Sequence, residues 1–258
     1  MPTRQSRAFV LRSFPLSESA KGVILFSEEE GKIKGWAHGA RRPNSRFGSS
    51  LDLGNEVQLE WRERETREWV NLSHCDLVVS ALPLMRDPLA AATLHYHLGL
   101  VDVFAPGRDA RPRLYRLVRA CLGALRDHSS PLLVAAYFEA WLLRLSGLYP
   151  RPGRCGCGAG FCETGAAFRP SGPGWYCPDC APGERPGDLS LSSEALALLA
   201  AVWASPPAAV QDRSRAPADR TAAEELFRLH RGMVGAAAGR EIPGREGLVR
   251  VLNLIRRQ

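Results

Sequence analysis

Five cysteines in one stretch are the residues best suited to chemistry in this 258-residue chain. Cys177 and Cys180 are separated by two residues, and Cys155, Cys157 and Cys162 precede them. A Cys-x-x-Cys turn presents two thiolates on one side of a tight knuckle, and two such pairs complete the tetrahedral shell of a zinc ion. Because four thiolates leave no position open for substrate, the pattern predicts one structural Zn²⁺ and argues against a zinc hydrolase.

The upstream cysteines leave the ligand set open. One residue separates Cys155 from Cys157, and four separate Cys157 from Cys162. Five candidates therefore compete for four positions, namely Cys155, Cys157, Cys162, Cys177 and Cys180. The alternative is a segment that has lost its metal or holds free thiols. Cys75 and Cys121 lie on apolar faces, so we expect both in the core.

A basic segment at residues 39–46 is the second pattern with a chemical meaning. It carries three arginines, Arg41, Arg42 and Arg46. A proline and small polar residues between them predict a mobile loop between two strands. Guanidinium forks pair with phosphate in bidentate fashion, and Trp36 or Phe47 on the neighbouring sheet face would add base stacking. The alternative is an ordinary solvated surface loop.

The charge balance favours a polyanionic partner, although only weakly. Lys and Arg total 34 against 27 Asp and Glu, a net charge of +7, and residues 1–50 hold nine basic and four acidic side chains. The sequence has no Gly-x-Ser-x-Gly elbow, P-loop or dinucleotide fingerprint, so we expect a protein that is not an enzyme. It also has no signal-like start and no apolar run of about 20 residues, so we expect no membrane partner.

Hydrophobic periodicity divides the chain into a strand-rich and a helix-rich part. Val57, Leu59 and Trp61 alternate with polar residues, and five or so such strands before residue 80 suit a small barrel such as the OB-fold. Residues 68–72 and 77–79 supply one strand or two. After Pro83 the period becomes helical, with Asp87 as an N-cap.

Further helices are predicted by their start and stop signals. One covers residues 114–125, the next runs from Ser130 towards Gly147, and helices resume at Ser192. The spacing of Thr221 and Glu224 predicts a capping box, and residues 246–257 form the last helix. Residues 205–219 have the composition of a flexible connection.

These elements predict an α+β multidomain protein. An OB-fold barrel occupies residues 1–80, and a helical bundle occupies residues 81–149 and 189–258. A zinc-binding insert of residues 150–188, rich in Gly and Pro, interrupts the bundle.

From Arg7 to Gly54 the sequence closely resembles the start of the RecO family of bacterial DNA repair and recombination mediators. The similar stretches are Arg7-Ala8-Phe9-Val10-Leu11, Glu18-Ser19, Glu30-Gly31 and above all Gly39-Ala40-Arg41-Arg42-Pro43-x-Ser45. A helical bundle interrupted by an insert that ends in Cys-x-x-Cys is also similar to this family. The family usually has Cys-x-x-Cys-Gly upstream, and Cys157, which Gly158 follows, fits that position best.

The resemblance implies an OB-fold, a helical domain behind it, and binding to single- and double-stranded DNA. It also implies annealing of complementary strands and loading of RecA onto DNA covered by the single-strand-binding protein SSB. The implied protein partners are RecR and SSB, and in some bacteria RecF. The implied location is the cytoplasm, in association with the nucleoid.

Residue types and resemblance together suggest a mediator that holds DNA by its phosphates. The expected contacts are basic: Lys32, Lys34, Arg41, Arg42 and Arg46, extended by Arg113, Arg116 and Arg119. Because annealing needs bases that are free to pair, we expect phosphate contacts to dominate over stacking. Two alternatives are a zinc-containing, sequence-specific transcription regulator and a protein-interaction scaffold whose charge is incidental.

Overall fold

The structure is a computed structural model that describes residues 3–62, 68–105, 107–149, 154–155, 157–161, 165–169, 174–180, 189–211 and 217–255. The chain divides into two compact units. Met1–Arg116 together with Ile242–Gln258 form the first, which we call the barrel unit, and Leu117–Glu241 form the second, the cysteine unit. None of the helices in the described ranges is both long and apolar enough to cross a membrane.

The barrel unit contains a closed barrel of five strands. They are β1 (Thr3–Pro15), β2 (Lys21–Ser27), β3 (Gly31–Ala37), β4 (Glu56–Arg62) and β5 (Trp69–Val79). Their order around the barrel is β1-β2-β3-β5-β4, with β3 and β5 parallel and the other neighbours antiparallel. This is an OB-fold, as the sequence predicted. The two apolar runs after residue 67 form the single strand β5.

Alternating apolar side chains fill the barrel. Val57, Leu59 and Trp61 of β4 are almost completely buried, whereas the polar residues between them are half-buried. Phe47 and Leu51 enter the same core from the segment between β3 and β4. Burying a side chain of this size stabilises the fold by about 1.5–3 kcal/mol, so these two residues anchor that segment to the barrel.

Among the described residues, three α-helices belong wholly or partly to the barrel unit, and a 3-10 helix (Leu82–Arg86) precedes them. Helix α1 (Pro88–Phe104) begins as predicted, because the carboxylate of Asp87 accepts a hydrogen bond from the backbone N of Leu89 at 2.9 Å. Helix α2 (Pro112–Arg126) follows it, and α7 (Arg245–Ile255) packs against α1. The apolar stripe predicted for residues 114–125 is the buried face of α2.

A buried hydrogen bond in the barrel unit gives a first prediction. Tyr115 of α2 donates to Oε1 of Glu56 at 3.0 Å, and both residues are buried. Tyr115→Phe leaves a buried carboxylate with one donor fewer, so we expect urea unfolding to show a loss of about 1–3 kcal/mol in stability. Tyr176→Phe, a half-buried tyrosine in the cysteine unit, is the control and should change stability by less than about 0.5 kcal/mol. Equal stability of Tyr115→Phe and the wild type contradicts this account of the pair.

The cysteine unit combines helices with a small sheet. Its helices after α2 are α3 (Pro131–Leu145), α4 (Ser193–Ala204), α5 (Pro207–Gln211) and α6 (Pro217–Ala238). Its sheet has the order β7-β6-β8, with β6 (Ala166–Arg169), β7 (Gly174–Tyr176) and β8 (Leu189–Leu191). Helix α6 packs against α3 and α4. The predicted start of α4 is confirmed, because Oγ of Ser192 accepts a hydrogen bond from Ala195 N at 3.1 Å.

Two predictions for this unit were wrong. Residues 205–219 are not simply a connection, since α5 lies within them and α6 begins at Pro217. Thr221 does not start a helix, because it lies inside α6, where Glu224 pairs with Arg220 at 3.7 Å instead of closing a capping box. Proline suits the first turn of a helix, so Pro217 was the better start signal.

A buried histidine makes the stability of the cysteine unit depend on pH. Nε2 of His230 lies 2.9 Å from the hydroxyl of Tyr149, and Nδ1 lies 3.1 Å from the carbonyl O of Ala136. Burial lowers the pKa of His230 to about 3, whereas an unfolded histidine has a pKa near 6.5. Below pH 6.5 the His230 side chain is therefore protonated in the unfolded chain but stays neutral in the folded chain. Acidification thus favours the unfolded state, and the free energy of unfolding falls.

We expect this histidine alone to remove about 1.6 kcal/mol of stability in total between pH 6.5 and pH 5, with a slope that approaches about 1.4 kcal/mol per pH unit at the acidic end. Urea unfolding across that range measures the effect. His230→Gln keeps the hydrogen-bonding groups without titrating, so its pH dependence should be shallower. His38→Gln alters an exposed histidine and should leave the wild-type slope. Identical slopes for wild type and His230→Gln contradict the prediction.

Candidate nucleic-acid interface and metal centre

The arginine loop, residues 39–46, lies in the segment that joins β3 to β4. Successive turns order it, with backbone hydrogen bonds from Arg42 N to Gly39 O at 3.1 Å and from Ser45 N to Arg42 O at 3.0 Å. Gly39 has a φ of 74°, a left-handed conformation that favours glycine. Phe47 follows directly, and its burial in the barrel fixes the end of the loop.

The three arginine side chains of the arginine loop are exposed, and two of them contact backbone oxygens. Arg41 Nη1 donates to Ser17 O at 2.7 Å, and Arg46 Nη2 lies 3.4 Å from Leu72 O. Within the described part of the chain, no carboxylate forms an ion pair with Arg41, Arg42 or Arg46. Their positive charge is therefore not compensated locally, and each keeps donors for an anion.

The two lysines predicted for the same surface have carboxylate partners. Nζ of Lys32 lies 2.7 Å from the carbonyl O and 3.4 Å from Oδ1 of Asp102. Lys34 forms an ion pair with Glu68. The Lys34–Glu68 pair is exposed, and exposed ion pairs contribute little stability, so Lys34 remains able to turn to phosphate. The Lys32–Asp102 pair is partly buried, so Lys32 is held more firmly. Both lysines are weaker candidates than the arginines.

The arginines predicted on α2 occupy its polar side. Arg113 and Arg116 are exposed and three residues apart, which makes them neighbours on a helix surface, and Arg119 is half-buried. Their part in DNA binding stays a prediction.

The aromatic residues near the arginine loop differ in their access to a base. Phe47 is 2% exposed and Cζ of Arg46 lies 5.0 Å from its ring centroid, so it does not offer a stacking face as the sequence suggested. Trp36 is half-buried and stacks on His38, with ring centroids 5.0 Å apart. Stacking at this surface is therefore limited, in agreement with an interface that favours phosphates.

Four cysteines of the cysteine unit converge on one point. They are Cys155, Cys157, Cys177 and Cys180, and their Sγ atoms all lie within 4.8 Å of one another. The Sγ atoms of Cys157 and Cys177 are 3.6 Å apart. A tetrahedral Zn²⁺ with Zn–S bonds of about 2.3 Å requires S–S separations of about 3.8 Å, so the donor set fits such an ion. Cys162 lies outside the described residues.

Tight turns hold these cysteines. Gly158 N donates to Cys155 O at 2.9 Å, and Cys180 N donates to Cys177 O at 3.1 Å. Gly158 has a φ of 90°, which favours glycine there and lets the single-residue spacing close a knuckle. Trp175, two residues before Cys177, packs among aromatic side chains, with its ring centroid 5.0 Å from that of Phe168 and 6.3 Å from that of Phe161.

The four thiol groups lie so close together that a bound cation would stabilise their deprotonated forms. A hydrogen bond from the backbone N–H of Cys157 lowers the pKa of the Cys155 thiol to about 6. Side-chain hydrogen bonds with Cys157, Cys177 and Cys155 raise the pKa of the Cys180 thiol to about 12. Four thiolates this close repel one another, and a bound metal ion reverses that cost by deprotonating its ligands.

The remaining described cysteines are core residues, as predicted. Cys75 and Cys121 are buried, and burial raises the pKa of both thiols, to about 11 for Cys75. Neither belongs to the four-cysteine cluster.

Comparison with known proteins places both sites in one family. Family models for the N-terminal and C-terminal parts of recombination protein O match residues 1–81 and 85–234. The chain belongs to the RecO family. The arginine loop lies within the match to the N-terminal RecO model, and the cysteine cluster lies within the match to the C-terminal one.

Curated relatives support the same assignment over most of the chain. Proteins named DNA repair protein RecO from Syntrophotalea carbinolica and Koribacter versatilis are 35% and 32% identical over 194 and 174 residues. These alignments cover 75% and 67% of this chain, and 75% and 71% of the relatives. The protein of the same name from Anaeromyxobacter dehalogenans is 34% identical over 220 residues, 84% of this chain and 86% of its own.

The barrel unit also contains a groove that the sequence did not predict. Lys21 and His95, far apart along the chain, line one groove together with Arg41. Neither residue belongs to a motif, and only the pairing of β1 with β2 and the packing of α1 bring them together. Spacing along one sequence therefore does not predict that these residues line a common groove.

Proposed function

We propose that this protein is a non-catalytic mediator of DNA repair and homologous recombination. It binds single- and double-stranded DNA without sequence preference and anneals complementary strands. The observation that carries the proposal is the arginine loop, whose three guanidinium groups are exposed and have no carboxylate partner within the described residues. Membership of the RecO family supports the same function.

The proposed mechanism is neutralisation of the DNA backbone. Guanidinium groups bind phosphates in bidentate fashion, and phosphate contacts carry no sequence information. Two strands that bind the same loop repel each other less, because the guanidinium groups neutralise their phosphates. The ring of Phe47 is buried and cannot stack on a base, so the bases beside the loop stay free to pair. Lys32 and Lys34 extend the surface when they leave their carboxylates, and Arg113, Arg116 and Arg119 extend it along α2.

The metal centre serves structure in this proposal. A single Zn²⁺, bound by Cys155, Cys157, Cys177 and Cys180, braces a segment whose own apolar core is small. With all four positions taken by protein thiolates, the ion has no place for substrate.

We further propose that the protein acts with RecR, SSB and RecA, and in bacteria that possess it with RecF. We propose that its cellular location is the cytoplasm, in association with the nucleoid. These partners are proposed on the basis of membership of the RecO family.

A strand-annealing assay with SSB-coated complementary oligonucleotides tests the proposed function. The protein is expected to accelerate annealing, and the zinc content measured on the same sample should be one per chain. Annealing no faster than with SSB alone contradicts the mediator function, whatever the zinc content. RecR added in a parallel reaction tests the partner separately.

A further inference from the structure

A groove in the barrel unit suggests a second element of DNA binding. It has a volume of about 610 Å³ and lies between β1, the start of β2, α1 and the turn before α7. Its apolar lining includes Leu11, Phe14, Leu53 and Leu98. Pockets of about 300–1,000 Å³ hold small organic ligands, so the groove has room for one nucleotide.

Close backbone contacts fix the walls of the groove. A Cβ atom on Gly99 of α1 would lie 2.1 Å from the carbonyl O of Pro243, and one on Gly244 would lie 2.7 Å from the backbone of His95. Across the groove, the ring of Phe14 lies over Gly22, where a Cβ would meet it at 2.6 Å. These glycines let α1 and Phe14 approach their neighbours closely, so the groove is preformed.

The rim carries an excess of positive charge. Lys21 and Arg41 line the groove, and within the described residues neither forms an ion pair. Asp102 also lines it, but Lys32 lies 3.4 Å and Arg12 3.7 Å from its carboxylate oxygens. Asp52 is the other acidic lining residue. An anionic group therefore finds its best position beside Lys21 and Arg41.

His95 adds a polar group that suits a base. It lies on α1 at the wall of the groove, and burial lowers its pKa. The lowered pKa favours the uncharged imidazole, which offers one donor and one acceptor.

We propose that this groove binds one unpaired nucleotide of a DNA strand, with the base on the half-buried ring of Phe14 and the phosphate at Lys21 and Arg41. The inference rests on the proposed function. Arg41 belongs both to the arginine loop and to the groove, so a strand held on the loop passes the mouth of the groove. One captured nucleotide fixes the strand while its neighbours remain free to pair.

Photo-crosslinking of the full-length protein tests this site. A single-stranded oligothymidylate that carries one 5-iododeoxyuridine is bound, irradiated and digested with trypsin. We expect the adduct in the peptide Ser13–Lys21, which contains Phe14. Free 5-iododeoxyuridine monophosphate at the same concentration should label this peptide far less, because it lacks the contacts with the arginine loop. If the free nucleotide labels the peptide equally, the result contradicts the proposal that contacts between the strand and the arginine loop bring the nucleotide to the groove.

Two variants separate the groove from the rest of the surface. Leu53→Trp fills the groove, so the yield of the crosslinked peptide, divided by the amount of protein–oligonucleotide complex, should fall to background. Lys21→Gln removes one phosphate contact and should lower oligonucleotide affinity about fivefold at about 0.1 M salt, whereas Arg62→Gln on the same barrel should change it little. An oligonucleotide that binds but crosslinks only elsewhere overturns the groove and leaves the proposed function standing. An oligonucleotide that does not bind at all overturns both.

Discussion

Replacing Arg41, Arg42 and Arg46 together by alanine is expected to lower the affinity for single-stranded DNA about 100-fold at about 0.1 M salt. Each phosphate neutralised on a single strand contributes about 0.7 to the slope of log K against log salt, so the slope should also become shallower by about 2. Fluorescence anisotropy of a labelled oligonucleotide over a series of salt concentrations measures both quantities. The size of the effect follows from the exposure of the three side chains and their lack of ion pairs within the described residues.

A matched triple variant controls for net charge. Arg7, Arg62 and Arg86 are exposed arginines of the barrel unit outside the arginine loop. Their replacement by alanine removes the same charge and should lower affinity by less than about tenfold, through the long-range field alone. If the affinity for DNA and the slope of log K against log salt are both unchanged in the variant of the arginine loop, the loop has no part in the mechanism.

Loss of one cluster thiolate is expected to have the largest effect on the cysteine unit. Cys177→Ser and Cys180→Ser each break the four-thiolate shell, so zinc content should fall from one ion per chain towards none. Structural zinc in small domains contributes about 10–16 kcal/mol of binding free energy to folding, so solubility should fall as well. Metal analysis of purified protein and the melting temperature before and after chelation measure both effects.

Two other cysteines provide the controls for the metal. Cys75→Ala alters a buried thiol of the barrel unit and should retain zinc. Cys162→Ser should also retain one ion, because the four cysteines of the cluster already complete the shell. Stoichiometric zinc in both Cys177→Ser and Cys180→Ser contradicts the assignment, and loss of zinc in Cys162→Ser contradicts the ligand set.

Local patterns predicted most of the fold correctly. The alternation on β4, the N-cap at Asp87 and the N-cap at Ser192 depend on residues next to one another, so one sequence contains the whole signal. The start of α6 was missed because two start signals competed, and proline at residue 217 prevailed over the capping box at Thr221. The strands β6 and β7 were missed because three or four residues are too few for a periodic signal.

The candidate site was predictable in its residue types but not in its pairings. The partner of Lys34 is Glu68, next to the strand that pairs with β3 in parallel, and the partner of Lys32 is on α1. Such contacts depend on tertiary packing, which no spacing in the sequence reveals. The cysteine spacing likewise left two upstream candidates open, and the turn at Gly158 brings Cys155 and Cys157 into the same cluster.

The most direct test of the account is equilibrium binding of the wild-type protein to two unrelated DNA sequences at low ionic strength. The arginine loop contacts phosphates in our proposal, so the two affinities should agree within about twofold and weaken together as salt is added. A marked preference for one duplex over the other at fixed salt indicates a sequence-specific regulator. No binding to either sequence contradicts the central claim that this loop holds DNA by its backbone.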